Sequence, residues 1–378
     1  MASGGQRSLA GPRPHILLVG GDGRPSGVPT HIVELSRALE SFADVTVVSE
    51  PDEGGFSELE TRHVAVPGLA SRMSPASLRH GYRSLVEVIQ RESADLVWLH
   101  SRLPVILGRL ALARGDYVGP TALTYHGLPF GHGHRNVMSQ VSKRLERRLA
   151  SRCPPLEMVF LNDTQRDLME AHLGPRADRH RRWVLGNASR LGPLPAPLPR
   201  PSRRHLVMTG RAGWQKNLEA AASLLPFLPE DVSLSMCGIG TDDARFVSKL
   251  KKLAGTGAKR LHLLGPLDDV RGLLASADGY LMTSRYEGEP IGALEAWEAG
   301  LPVILAPFVG AKALAKHPFS EVLASDDATK RADQIMRVID GYLTDKEANS
   351  AQIKHSWALH HAPEAFAARA QNLVKHWL

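Results

Sequence analysis

Cysteine is nearly absent from this sequence: Cys153 and Cys237 are the whole complement of 378 residues. They stand in separate halves, which excludes a disulfide framework and points to a reducing, cytoplasmic setting. No apolar run approaches the roughly 20 residues that a membrane-spanning helix needs. Residues 1–14 carry Gly, Ser and Arg without the apolar centre of a signal peptide, and read as a disordered lead-in. No Asp-x-Asp occurs anywhere, so no carboxylate pair of that spacing is at hand for a divalent ion, and no metal is expected. What remains is 43% hydrophobic and 22% charged, the balance of a soluble globular enzyme, and long enough for two domains of ordinary size. The net charge of +7 and pI near 9.5 suit an anionic partner. Nucleotide diphosphates, anionic lipid and nucleic acid all qualify on charge alone.

The first half alternates short apolar runs with amphipathic segments. Strands are expected over 15–20, 45–48, 95–100, 121–125, 158–161 and 183–186, and helices over 30–40, 78–90, 103–114 and 135–150. That is the pattern of a parallel sheet covered on both faces. The loop 20–30 carries Gly20, Gly21, Gly23 and Gly27 ahead of a helix, where glycines let backbone N–H groups approach a phosphate. Tight turning alone is the plainer account of them. His100 and His126 each close a strand and so project at the carboxyl edge of the sheet. His132 and His134 lie in Gly-His-Gly-His without acidic or cysteine companions nearby, and read as loop histidines. Lys143, Arg144, Arg147 and Arg148 make one basic helical stripe, which is either a solvated face or a contact for an anionic membrane.

Residues 191–204 are proline-dense and aperiodic, and mark a semi-rigid linker between a first domain, 15–190, and a second, 205–355. In the second, Arg211 and Lys216 follow a strand and precede a helix. Two cations at such a turn can clamp a diphosphate, the guanidinium forking across oxygens and the ammonium acting as a point charge. The stretch 286–300 reads Tyr-Glu-Gly-Glu-Pro-Ile-Gly-Ala-Leu-Glu-Ala-Trp-Glu-Ala-Gly between two apolar runs, hence strand, loop, helix, strand. Pro290 stands where a first-turn proline is tolerated and Gly300 stands as the C-cap. Glu295 shares a helical stripe with Ile291 and Leu294, where an apolar residue is expected. A carboxylate there needs a partner, either an internal arginine or vicinal sugar hydroxyls.

This stretch resembles the Glu-x(7)-Glu signature of retaining glycosyltransferases of the GT-B fold, family 4, also called glycosyl transferases group 1. Glu287 and Glu295 occupy the two glutamate positions, and Glu289 departs from the apolar residue usual there. The resemblance implies two doubly wound Rossmann-like domains facing a cleft, with a terminal helix, 356–378, returning to the first domain. It also implies transfer of a sugar from a UDP- or GDP-sugar to a hydroxyl of a glycan or lipid-linked acceptor in bacterial-type polysaccharide or glycoconjugate synthesis, with no cofactor. By the same resemblance His126 reaches sugar and diphosphate, Gly27 lies near the donor, and Arg211 and Lys216 hold the diphosphate. Glu287, Gly288, Glu289, Pro290, Ile291 and Glu295 surround the donor's sugar and ribose. Asn187 matches the family's Pro-Asn-Gly asparagine, with Ala188 in place of glycine. The implied partners are the donor, the acceptor and an inner membrane face, not nucleic acid. Two other readings keep the fold: a non-catalytic sugar-nucleotide-binding protein and a sugar-nucleotide epimerase.

Overall fold

The computed structural model describes residues 13–70, 74–130 and 136–378. Two parallel sheets carry the chain. The first contains β1 (His15–Val19), β2 (Asp44–Ser49), β3 (Arg62–Ala65), β4 (Leu96–Leu99), β5 (Thr121–Tyr125), β6 (Glu157–Phe160) and β7 (Arg181–Val184), in the order β3-β2-β1-β4-β5-β6-β7. The second contains β8 (Arg204–Thr209), β9 (Val232–Cys237), β10 (Leu261–Leu263), β11 (Gly279–Met282), β12 (Val303–Leu305) and β13 (Glu321–Val322), in the order β10-β9-β8-β11-β12-β13. Both sheets therefore reverse direction beside their first strand, between β1 and β4 and between β8 and β11. Such a switch point leaves a crevice at the carboxyl ends of the strands.

Burial explains why these runs are strands. Ile16, Leu17, Leu18 and Val19 are all fully buried, as are Leu96, Trp98 and Leu99 opposite them in register, because helices cover both faces. The helices of the first domain are α1 (Gly27–Leu39), α2 (Pro75–Glu92), α3 (Arg102–Arg114), α4 (Asn136–Arg152) and α5 (Asp163–Leu173). Those of the second are α6 (Leu218–Ala222), α7 (Ala244–Ala254), α8 (Arg271–Ala275), α9 (Ile291–Glu298), α10 (Ala311–Leu314) and α11 (Ala328–Leu343).

Two last helices, α12 (Lys346–His360) and α13 (Pro363–Trp377), tie the domains together. Ile353 of α12 packs in the core of the second domain. Phe366, Ala370, Val374 and Trp377 of α13 share a core with Ile16, Leu18, Ile32 and Trp98 of the first. The Trp98 and Trp377 rings meet edge to face at 4.9 Å, and the Gln371 amide donates to the Ala38 carbonyl of α1 at 2.7 Å. The expected boundary after residue 355 falls inside α12. The chain breaks instead at His361–Ala362, where Pro363 can start but not continue a helix.

Other expectations shift by a few residues for local reasons. Helix α1 begins at Gly27, three residues before the expected start, and Pro290 caps α9 from outside its first turn. Strand β3 escaped notice because Arg-His-Val-Ala lacks an apolar run. It is an edge strand and needs only one covered face. His132 and His134, like most of the lead-in, lie outside the described residues.

Phe366→Ala should cost about 3–5 kcal/mol, because the ring is fully buried at the joint between α13 and the first core. Urea titration followed by tryptophan fluorescence, with Trp98 and Trp377 as local reporters, should show an earlier midpoint for the first domain's transition.

Candidate active site

The two switch points open onto a common cleft. On the second-domain side, Gly210 leaves β8 with φ +149° and is followed by Arg211, and the turn then returns Gln215 and Lys216 to the cleft. From the end of β11 the loop 283–290 delivers Tyr286, Glu287 and Gly288 to the same place. Lys216 Nζ donates to Glu287 Oε1 at 2.7 Å, and Gln215 Nε2 reaches the Tyr286 carbonyl at 3.1 Å. Arg211 is exposed and makes neither hydrogen bond nor ion pair among the described residues, although its charge bears on Tyr286 and on Asp22 across the cleft.

Glu295 lies farther along α9, partly exposed above the second sheet's carboxyl edge, where its charge bears on Cys237 and Tyr280. Burial, with the nearby Glu298 carboxylate adding repulsion, pushes its own pKa up to about 7. Its carboxylate has no hydrogen-bond or ion-pair partner among the described residues.

The first domain supplies the opposite wall. A cavity of about 450 Å³ is lined by Val28, Arg102, Ile106, His126, Tyr286 and Glu287, with other residues of the same loops. His126 and Gly127 leave β5, while His100 leaves β4 and Ser101 follows it in a left-handed conformation, φ +66°. A non-glycine residue held there stores strain and commonly marks a working turn. Gly27 faces α9: a side-chain carbon at that position would lie 3.6 Å from Ile291 Cγ1. Gly23 packs instead against the Pro51 carbonyl, so this glycine is there for the turn.

Gly288 is the point where the domains touch most closely. A Cβ on it would sit 2.0 Å from the His126 carbonyl oxygen, so only glycine fits. Its own carbonyl accepts from Asn162 Nδ2 at 3.3 Å and Gln165 Nε2 at 3.0 Å. Glu289, expected among the donor-sugar contacts, points elsewhere. Its carboxylate accepts from the Asn187 backbone N–H, and its carbonyl accepts from Asn187 Nδ2 at 2.7 Å. Buried between the domains, the carboxyl has its pKa pushed up to about 8. Asn187 in turn offers Oδ1 to His31 Nδ1 at 2.8 Å. The structure thus brings His126, Gly288, Glu287, Lys216 and Arg211 to one cleft, with Gly27 facing Ile291 beside it, leaves Pro290 buried at the start of α9, and turns Glu289 away.

Paired switch points on facing parallel domains define the GT-B architecture. Two family models match along the chain: Glycosyltransferase Family 4 over residues 25–186 and Glycosyl transferases group 1 over residues 203–341. The chain belongs to these GT-B glycosyltransferases. It is 28% identical over 296 residues, 73% of this chain and 74% of the other, to the UDP-Gal:alpha-D-GlcNAc-diphosphoundecaprenol alpha-1,3-galactosyltransferase of Escherichia coli. Among solved structures it resembles Anabaena HepE in complex with UDP and glucose, with a TM-score of 0.75 at 15% identity over 96% of this chain and 100% of that one. The lipopolysaccharide outer core galactosyltransferase WaaB superposes with a TM-score of 0.70 at 15% identity, over 96% and 100% of the two chains.

Several cleft residues escaped the sequence reading. Arg102 and Ser101 follow the strand-end His100 directly, which was the available signal. Arg109, fully buried, pairs with Glu146 at 2.6 Å, and Tyr125 donates to the same carboxylate at 2.8 Å beneath the cavity. Nothing in the spacing of residues 109, 125 and 146 announces that triad.

Glu289 carries a pH signature. Its folded pKa is raised, so between about 4.5 and about 8 the folded state holds more proton than the unfolded chain, and stability falls as pH rises through that window. Glu289→Gln should remove this loss. The variant should melt near wild type at pH 4.5 and progressively above it toward pH 8, as thermal denaturation across a pH series would register.

Proposed function

We propose that this protein is a retaining, metal-independent hexosyltransferase that moves a sugar from a nucleoside-diphosphate donor on the second domain to an acceptor hydroxyl in the first-domain cavity. The observation that carries the reading is the set of unsatisfied or weakly committed charges at the second switch point: unpaired Arg211, unpaired Glu295, and Lys216 held only by Glu287. Arg211 and Lys216 would receive the diphosphate and, with the α9 N-terminus, stabilise the charge that develops as it departs. As the diphosphate binds, Lys216 exchanges the Glu287 carboxylate for phosphate oxygens, which releases Glu287 toward the sugar. Glu295 would accept two ribose hydroxyls. The bond from the anomeric carbon to the diphosphate breaks, the acceptor oxygen joins that carbon from the same face, and its proton leaves with the diphosphate.

A UDP-sugar and a lipid-linked acceptor are favoured over the other members of their classes. The Escherichia coli relative uses UDP-galactose and a diphosphoundecaprenol-linked acceptor by its name, and HepE binds UDP. Contact with an anionic membrane through the stripe of Lys143, Arg144, Arg147 and Arg148 fits such an acceptor. The face available for it differs from the plain stripe, however. Lys143 lies over the Phe130 ring and Arg147 donates to the His172 carbonyl, whereas Arg144 and Arg148 are exposed beside exposed Val137, Met138 and Val141.

The test is incubation with a panel of UDP- and GDP-sugars and lipid-linked acceptors, in detergent and in anionic vesicles. The expected products are nucleoside diphosphate and a glycosylated acceptor with the donor's anomeric configuration. Released donor epimer, or tight binding with no turnover, would favour the two rival readings. Activity should persist after EDTA and dialysis. Complete loss restored by magnesium or manganese would overturn the metal-free clamp.

Kinetics should separate the charges. Arg211→Ala removes a charge-assisted contact worth roughly 1.5–3 kcal/mol, so kcat/KM for the donor should fall roughly 10- to 150-fold. Glu287→Gln should lower kcat more than donor affinity, because that carboxylate meets the transferred sugar. Glu295→Gln should chiefly raise the donor KM, since ribose does not change during the reaction. Ribose hydroxyls bond the ionised carboxylate, so donor affinity should rise with pH through about 7 in wild type, and Glu295→Gln should flatten that rise. Identical kcat and KM changes in both glutamate variants would sink the assigned roles.

A further inference from the structure

Behind the first-domain wall three imidazoles converge. His31 comes from α1, His100 from the end of β4 and His126 from the end of β5, and one ring nitrogen of each lies within 4.8 Å of the others. Among the described residues no other cluster of histidine, cysteine and acidic side chains is close enough to share an ion. His100 Nδ1 and His126 Nε2 are 3.1 Å apart. His31 and His100 are 2% and 0% exposed, and the Nε2 atom of each has no hydrogen-bond partner.

The tautomer of His31 follows from its neighbours. Asn187 Nδ2 donates to the Glu289 carbonyl, so the amide must present its oxygen to His31 Nδ1. An oxygen there accepts, so His31 Nδ1 carries the proton and Nε2 carries a lone pair. That lone pair is buried and has no donor among the described residues. An imidazole whose outer N–H is anchored on an amide oxygen, leaving the inner nitrogen bare, is the arrangement by which proteins orient metal ligands. The His100 Nδ1–His126 Nε2 contact is a hydrogen bond that holds one proton, which coordination must release.

We propose that His31 Nε2, His100 and His126 Nε2 bind one imidazole-preferring divalent ion, Zn2+ above all, with the fourth coordination position open toward the cavity. Tetrahedral zinc with nitrogen at about 2.0–2.1 Å places ligand atoms roughly 3.3 Å apart. The His100–His126 pair already has nearly that spacing. The longest edge of the triangle must shorten by roughly 1.5 Å, which ring rotation about the broad χ2 wells of histidine supplies. Carboxylate-preferring Mg2+ and Ca2+ are excluded by an all-nitrogen set. Because His126 also lines the cavity, an ion there occupies the acceptor side and blocks transfer. That last clause rests on the function proposed above, whereas binding itself does not.

The experiment uses the full chain without a histidine tag, stripped with chelator and dialysed, and titrated with Co2+ and then Zn2+ in the absence of donor and acceptor. One equivalent should bind with the intense visible bands of tetrahedral cobalt and be displaced by Zn2+. His31→Gln and His100→Gln should each weaken that binding at least 10- to 100-fold, the loss that even an outer-shell change causes. X-ray absorption on the wild-type zinc complex should show three imidazole ligands, which keeps the test independent of how the variants fold. Fewer than three imidazoles, weak octahedral cobalt bands, or unchanged binding in both variants would overturn the site. Where transfer is established, one equivalent of Zn2+ should suppress it and EDTA restore it. Full turnover with the site filled would overturn the blocking role, and failure of the donor panel would leave the binding result standing.

Discussion

The main chain of Gly288 resting on the first domain is the constraint from which the cleft takes its shape. A bare Cα there allows the loop after β11 to approach the His126 carbonyl, and two amides, Asn162 and Gln165, hold its carbonyl from the other side. Asn187 takes the next residue by both its carbonyl and its carboxylate. Each of these groups stands at or just beyond a strand end of the first sheet. The loop that carries Glu287 is thus built by the second domain but positioned by the first. Any opening of the domains must break these bonds together, so the position of Glu287 and the closure of the cleft are one variable.

Much of the architecture was legible in the sequence because fully buried parallel strands write themselves as short apolar runs, and His15–Val19 and Gly279–Met282 are of that kind. Elements that failed to register lacked that signature: β3 is polar at the sheet's edge, and β13 spans two residues. At the site, strand ends told most. Arg211, His126 and Glu287 each follow a strand, and strand ends at a switch point must face the crevice. What pattern could not convey was the direction of a side chain within a loop. Glu289 directly follows the cavity-lining Gly288, yet its carboxylate runs back between the domains because the Asn187 N–H lies there. Long-range partnerships such as Arg109 with Glu146 were equally silent, since separation in sequence says nothing about them.

Charge in the cleft is only partly balanced. Lys216 and Glu287 neutralise each other, Arg211 remains exposed, and Glu295 sits with its ionisation half suppressed. Parting the Lys216–Glu287 pair without a replacement cation is costly, because the Glu287 side chain is only 8% exposed. Deeper in the first domain, burial lowers the pKa of each of the three imidazoles, and Arg109 pairs with Glu146.

Helix α4 links the cavity to the protein surface. Glu146 of α4 lines the cavity, while Val137, Val141, Arg144 and Arg148 recur on the outer face of that helix. Their spacing of four, three and four residues is one helical stripe. Apolar residues occupy its N-terminal part and arginines its C-terminal part, so the exposed stripe is apolar at one end and cationic at the other. The same helix couples that exposed stripe to the cavity wall, because moving one face of a packed helix moves the other.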